Sequence, residues 1–210
     1  MSAYTDWFDY VLPDVPGVAN SLATQKIREA VIEFCRRTLL YKHNPAAINI
    51  VGGTAAYTVT PPAETVVSDF THVLVNGKQV DPQTPAWLDQ NVTNWRTTAT
   101  GPARAYLVTM SGQIKLVPTP PDSIASGLVV EVALRPTVAS TTCPDWLLED
   151  FQEAISHGAK GRLFAMKRKP WTDAQLARFH MAEFNSWCGV GGARASQSRT
   201  RVPLHTSVTY

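Results

Sequence analysis

The sequence predicts an α+β protein: a helical bundle of about three helices, an inserted small antiparallel β sandwich or barrel lobe, and an extended C-terminal tail. Three observations predict it. Apolar residues recur at helical spacing in two separate regions, near residues 21–41 and again after Pro136. Between them, residues 48–136 hold short β-branched and aromatic runs broken by Gly, Pro and Asn. Beyond residue 188 neither period is visible. The expected organisation is an N-terminal arm (1–20), a helical domain in two pieces (21–47 and 137–188), the inserted β lobe (48–136) and the tail (189–210).

The first helix rests on Ile27, Ala30, Val31, Phe34 and Thr38, which share one face at i, i+3, i+4, i+7 spacing. Asn20 or Ser21 can cap its start, and Pro45 lies beyond its end. In the β region, Asn76-Gly77 separates Thr71–Val75 from Gln79–Val80. It is the strongest hairpin signal, since both residues tolerate positive φ. Ser111-Gly112 marks a second hairpin between Ala105–Met110 and Gln113–Val117. Leu128–Leu134 reads as a buried strand, and residues 118–127 read as a loop. After Pro144, the residues Leu147, Leu148, Phe151, Ala154, Ile155, Ala159 and Leu163 form a long apolar stripe, with Pro170 as its stop. A third helix is expected over 173–188. Thr172 or Asp173 caps it, Leu176, Ala177, His180, Met181, Phe184 and Trp187 form its core side, and Gly189 ends it.

Composition narrows the function classes. Of the 210 residues, 44% are hydrophobic and 17% are charged, so disorder of the whole chain is excluded. No run approaches the ~18–20 apolar residues of a membrane helix, and the first residues have no basic or apolar region of a secretory signal. Net charge is +2, from 19 basic and 17 acidic residues, too balanced for a nucleic-acid clamp. Ordinary domains carry about 25% charged residues. The shortfall has two readings: an exterior covered by other chains, or a neutral surface rich in Thr and Ser. Cys35, Cys143 and Cys188 are odd in number and widely spaced, which disfavours disulfides or a zinc site.

The charges that remain are segregated. Asp6, Asp9 and Asp14 are the side-chain charges of residues 1–20, whereas Arg194, Arg199 and Arg201 lie in a C-terminal stretch without acids. Lys160 to Lys169 is the internal basic cluster. With Phe164 and Trp171 it reads as a nucleic-acid patch; as a solvated helix end it complements the dipole, and that structural reading is preferred.

No catalytic motif is present, and no cofactor is expected. The five histidines show no metal-ligand spacing, although His157 and His180 lie on adjacent helices and can meet. Asp145, Glu149 and Asp150 resemble an acid pair, but acids at a helix start need no function. Gly189-Val-Gly191-Gly192 follows a helix rather than opening one, so it reads as a hinge and not a phosphate cradle. Trp87, Trp95, Tyr57 and Tyr106 offer an alternative reading, a carbohydrate-binding β module. A phage-borne hydrolase using Asp145, Glu149 or His157 is a third reading, one without a spaced motif.

The order of pieces resembles the head-to-tail adaptor (connector) proteins of tailed bacteriophages, of the tail-tubular-A type. The pieces are Leu12-Pro-Asp-Val-Pro-Gly17, the helix Ile27–Thr38, Leu116-Val-Pro-Thr-Pro-Pro121, Leu134-Arg-Pro136, Ala154–Leu163 and Lys169-Pro-Trp171. The resemblance implies a structural virion protein at the head-to-tail interface, made in the host cytoplasm and without enzymatic activity. It implies a homo-oligomeric ring, of 12 copies, below the portal protein. Further implied partners are a tail nozzle or tube protein and a tail fibre protein. Genomic DNA would pass through the lumen without sequence-specific contact, and no membrane is involved. Candidate portal contacts are Arg194, Arg199, Arg201, Val202, Leu204 and Tyr210. Candidate inter-subunit residues are Asp6, Asp9, Asp14, Lys167, Arg168 and Lys169. A neck stopper or head-completion protein fits the same order of pieces.

Overall fold

The computed structural model describes residues 1–97, 99–110 and 112–197. In chain order the elements begin with β1 (Ser2–Ala3), α1 (Phe8–Val11) between short 3-10 turns, and α2 (Asn20–Thr38). There follow β2 (Lys42–His43), β3 (Ile48–Ile50), β4 (Ala56–Thr58), β5 (Thr65–Val75), β6 (Lys78–Gln79), β7 (Asp81–Pro82) and α3 (Pro85–Asn91). Then come β8 (Ala105–Met110), β9 (Gln113–Val117), β10 (Ile124–Pro136), β11 (Thr142–Cys143), α4 (Trp146–Phe164) and α5 (Ala174–Gln197). The class is α+β, with five α-helices and mostly antiparallel sheets among the described residues. The chain divides into two compact units: residues 1–40 with 135 onward, and residues 41–134.

In the first unit α2, α4 and α5 pack on one another. The face of α2 buries Ile27, Ala30, Val31, Phe34 and Thr38, as its spacing predicts, with Cys35 beside them. Its cap differs from expectation. Ala19 holds the cap position without a side-chain bond, so neither Asn20 nor Ser21 serves. The helix also stops at Thr38, where Leu39 takes a left-handed conformation (φ 55°) and the Thr38 hydroxyl bonds the Phe34 carbonyl. Phe34 sits at the centre, with ring centroids 4.9 Å from Phe151 and 6.4 Å from Phe184. Phe151 itself kinks α4 (φ −133°, ψ 22°). The Arg162 guanidinium donates to Glu33 at 2.6 Å, joining α4 to α2, and Arg37 donates to Asn185 at 2.6 Å, joining α2 to α5.

Two expectations for this unit are corrected. Residues 1–20 are not a separate arm: Tyr4, Trp7, Val11 and Val15 are buried, and β1 pairs with β11 through Ser2–Cys143. Their spacing puts one apolar face onto the helices despite the interruptions at Pro13 and Pro16. The third helix does not end at Gly189, and residues 189–197 are neither hinge nor extended tail. They are helical turns of α5. Of the glycines there, Gly191 serves packing: a methyl on it would lie 2.6 Å from Thr38 and 3.1 Å from Phe34. The rest of the expected tail, 198–210, lies outside the described residues. Two smaller differences follow the same logic. α4 ends at Phe164 rather than running to Pro170. Leu176, expected in the core, is exposed, while Ala177, His180, Phe184, Cys188 and Gly191 form the buried line.

The second unit has two sheets, ordered β2-β10-β5-β6 (with β3 also on β10) and β4-β9-β8-β7. β2 and β3 pair antiparallel with β10, β6 with β5, and β4 and β8 with β9, whereas β7 runs parallel to β8. The Asn76-Gly77 turn joins β5 to β6 with Val75 opposite Lys78 and positive φ at both turn residues. β8 and β9 pair as expected, through Tyr106–Leu116 and Val108–Ile114. Alternation along β8 and β9 sends Tyr106, Ile114 and Leu116 into one core shared with Phe70, Val73, Leu128, Val130 and Val132. The opposite face holds Ala105 and Val117 under Leu88 and Trp95. Two features had no sequence expectation or a wrong one. α3 is a short helix capped by the Thr84 hydroxyl, and β10 begins at Ile124, inside the segment read as loop.

Candidate assembly interface

In the first unit a groove of about 530 Å³ is lined by Tyr10, Glu149, Asp150, Gln152, Glu153, Ser156, His157, Lys160 and Trp187. Tyr10 comes from the N-terminal segment, Trp187 from α5 and the rest from α4. Three carboxylates face it. Its one ammonium, Lys160, is engaged by Asp14, so the groove is acidic. Phe179 and Val190 are further exposed apolar residues on α5.

The opposite sign gathers at the α4–α5 turn. Lys167, Arg168 and Lys169 are exposed there. The turn is held by the Thr172 hydroxyl, which accepts from Lys169 N at 2.9 Å and donates to Met166 O at 2.5 Å, and Arg168 takes a positive φ of 59°. Arg162, in the same sequence cluster, is committed to Glu33 and to the Gly158 carbonyl. Phe164 is buried, so the stacking platform considered with this cluster is missing on that side.

The N-terminal acids are used differently from one another. Asp6 accepts from Ala3 N at 2.9 Å, Asp14 holds Lys160, and Asp9 is exposed. Asp145 accepts the Met1 ammonium at 2.6 Å and the Ser2 hydroxyl at 2.8 Å; these bonds hold its carboxyl below the usual carboxylate range. Of the candidate portal contacts, Arg194 lies in the last turns of α5 with its guanidinium 5.2 Å from the Phe151 ring centroid. Arg199, Arg201, Val202, Leu204 and Tyr210 lie outside the described residues.

His157 and His180 do meet: their Nδ1 atoms are 2.8 Å apart. Among the described residues no group of three or more His, Cys, Asp or Glu side chains is arranged to hold a metal ion. No helix among them is long and apolar enough to cross a membrane. The aromatic quartet of the β region does not form a binding platform. Tyr57, Tyr106 and Trp95 are buried because strand alternation turns the tyrosines inward and α3 covers the tryptophan; Trp87 alone is exposed. Trp95 donates its indole N–H to Asp89 at 2.7 Å, and the Arg96 guanidinium lies 4.5 Å from its ring centroid. All three cysteines are buried without disulfides, and burial pushes the Cys35, Cys143 and Cys188 thiols up, Cys143 to about 12.

Sequence reasoning missed the groove, because Tyr10, Glu153 and Trp187 share no spacing. The signal that was available is the run of acids Glu149, Asp150 and Glu153 within little more than one turn of α4.

The helical unit thus sets an acidic groove and a basic turn apart from one another. The model of the SU10 adaptor protein family matches residues 2–206, and the chain belongs to that family. It is thus a structural adaptor of bacteriophages, a virion protein that engages other components of the phage neck. No curated protein matches the chain.

Proposed function

We propose that this protein is a head-to-tail adaptor whose copies form a ring, of 12 subunits, below the portal, joining capsid to tail and letting DNA pass through the lumen. The observation that carries the reading is the family match over residues 2–206. In this reading α2, α4 and α5 are a three-helix body, residues 41–134 are a β sandwich lobe that meets the tail nozzle, and the C-terminal segment reaches the portal.

The charge layout supports a ring. Head-to-tail contacts between identical copies need two different, complementary patches on each subunit. The helical unit carries an acidic groove around Glu149 and Glu153 and a basic turn at Lys167–Lys169. Asp9 adds to the acidic side. The outer strip of α5, Ala182, Ser186, Gly189, Ala193 and Ser196, is exposed and made of small residues, which lets another helix approach closely.

Mixing the full chain with purified portal and imaging the product tests the reading. A ring of adaptors on the portal is expected, and removal of residues 198–210 should leave a folded subunit that no longer docks. A protein that stays monomeric at all concentrations and never joins the portal would overturn it.

A further inference from the structure

The contact between α4 and α5 contains a second feature, at a residue that also lines the groove. His157 on α4 and His180 on α5 face each other through their Nδ1 atoms at 2.8 Å. One nitrogen must carry the hydrogen and the other must be a bare lone pair. If both rings were imidazolium, two N–H groups would point at each other across that distance. The closed contact therefore holds at most one of the two protons that the separated rings would take up.

We propose that His157 and His180 form a proton-sensitive latch: the closed α4–α5 contact accepts one proton at most, and acid favours its opening. The surroundings reinforce the limit. His180 is buried, with Phe164 stacked on its ring at 5.5 Å and 9° and Phe179 edge-on at 5.2 Å. On α4, Lys160 adds a cation, though Asp14 from the N-terminal segment offsets it. Glu153, largely exposed, lies 3.7 Å from His157 Nε2. Glu183, on α5, acts weakly in favour of a proton on His180. Burial, then the neighbouring His157, then Lys160 hold the His180 pKa below its ordinary value.

The sign follows from these protons. In the open or unfolded chain both imidazoles titrate near 6.5. The closed form binds fewer protons, so its stability is complete above that pH and falls as pH drops through it. The opening equilibrium should grow by up to about tenfold per pH unit over the range in which the two states differ by one proton.

The test uses the full chain. Unfolding of wild type, His157→Gln, His180→Gln and the double variant is measured in urea from pH 5.0 to 7.5. The coupling between the two positions should be favourable at pH 7.5 and vanish or reverse at pH 5.0. Coupling that does not change with pH would overturn the proposal. Nitrogen-15 NMR of the wild-type rings gives a second reading that needs no variant to fold. At pH 6 one Nδ1 should report as an unprotonated acceptor. Two imidazolium rings in the fully folded protein at pH 5.0 would overturn the latch.

Discussion

The two units are stabilised by different means. Helices in the first approach so closely that glycine is required at their contacts. A methyl on Gly158 would lie 2.7 Å from Phe184 and 3.0 Å from Ala30. A methyl on Gly161 would meet Met181 at 2.8 Å. In the second unit glycine mainly sets turns: Gly77 and Gly112 have φ of 74° and 75°. The contrast is one of emphasis, since in the second unit Gly52 and Gly127 also lack room for a methyl, against the Pro121 carbonyl and Ile124. Each unit has both local and long-range ion pairs, Lys42–Glu131 being a long-range one in the β unit. Arg162–Glu33 ties two helices distant in sequence, whereas Arg96–Asp89 closes a local loop beside α3.

The comparison can be broken most decisively at the centre of the helices. Phe34→Ala empties a site against Phe151 and Phe184, and should cost about 3–5 kcal/mol in urea unfolding followed by far-UV circular dichroism; a loss under ~1 kcal/mol would mean the site collapses freely. Next comes Gly158→Ala. The gain in helix propensity is about 1 kcal/mol, but overpacking against a rigid ring costs more, so a net loss of about 1–2 kcal/mol is expected. In the β unit, Gly77→Ala should cost about 1 kcal/mol through strain at positive φ, with no packing contribution, since nothing lies within 4 Å of its missing Cβ. The smallest effect has the opposite sign. Gly189 is helical, exposed and has nothing within 4 Å, so Gly189→Ala should stabilise by roughly 0.5–1 kcal/mol. If Gly189→Ala and Gly158→Ala moved stability the same way, the packing account of the helical unit would fail.

These glycines also explain what was legible in the sequence. The β hairpins could be read because turn chemistry is local: Asn76-Gly77 carries its own backbone requirement. α2 and α4 could be read because their apolar faces repeat over several turns. Gly189 reads as the end of α5 because an exposed glycine inside a helix looks the same, in one dimension, as one that ends it. The N-terminal segment was read as an arm because Pro13, Pro16 and Gly17 mask the spacing of Tyr4, Trp7, Val11 and Val15. α3 was invisible because seven residues hold too little period. The site was less legible than the fold. The chance that His157 and His180 could meet was visible from adjacent helices, but the groove joins Tyr10, Glu153 and Trp187, which only tertiary packing brings together.

The shielded thiols have a practical use. Cys35, Cys143 and Cys188 are interior and hold their protons strongly, so the native chain should be nearly silent toward maleimides at neutral pH. A single cysteine introduced on an outward position such as Ser186 would then be the dominant handle for a fluorophore or spin label. Contacts between copies in the proposed ring could be tracked without first removing any natural thiol.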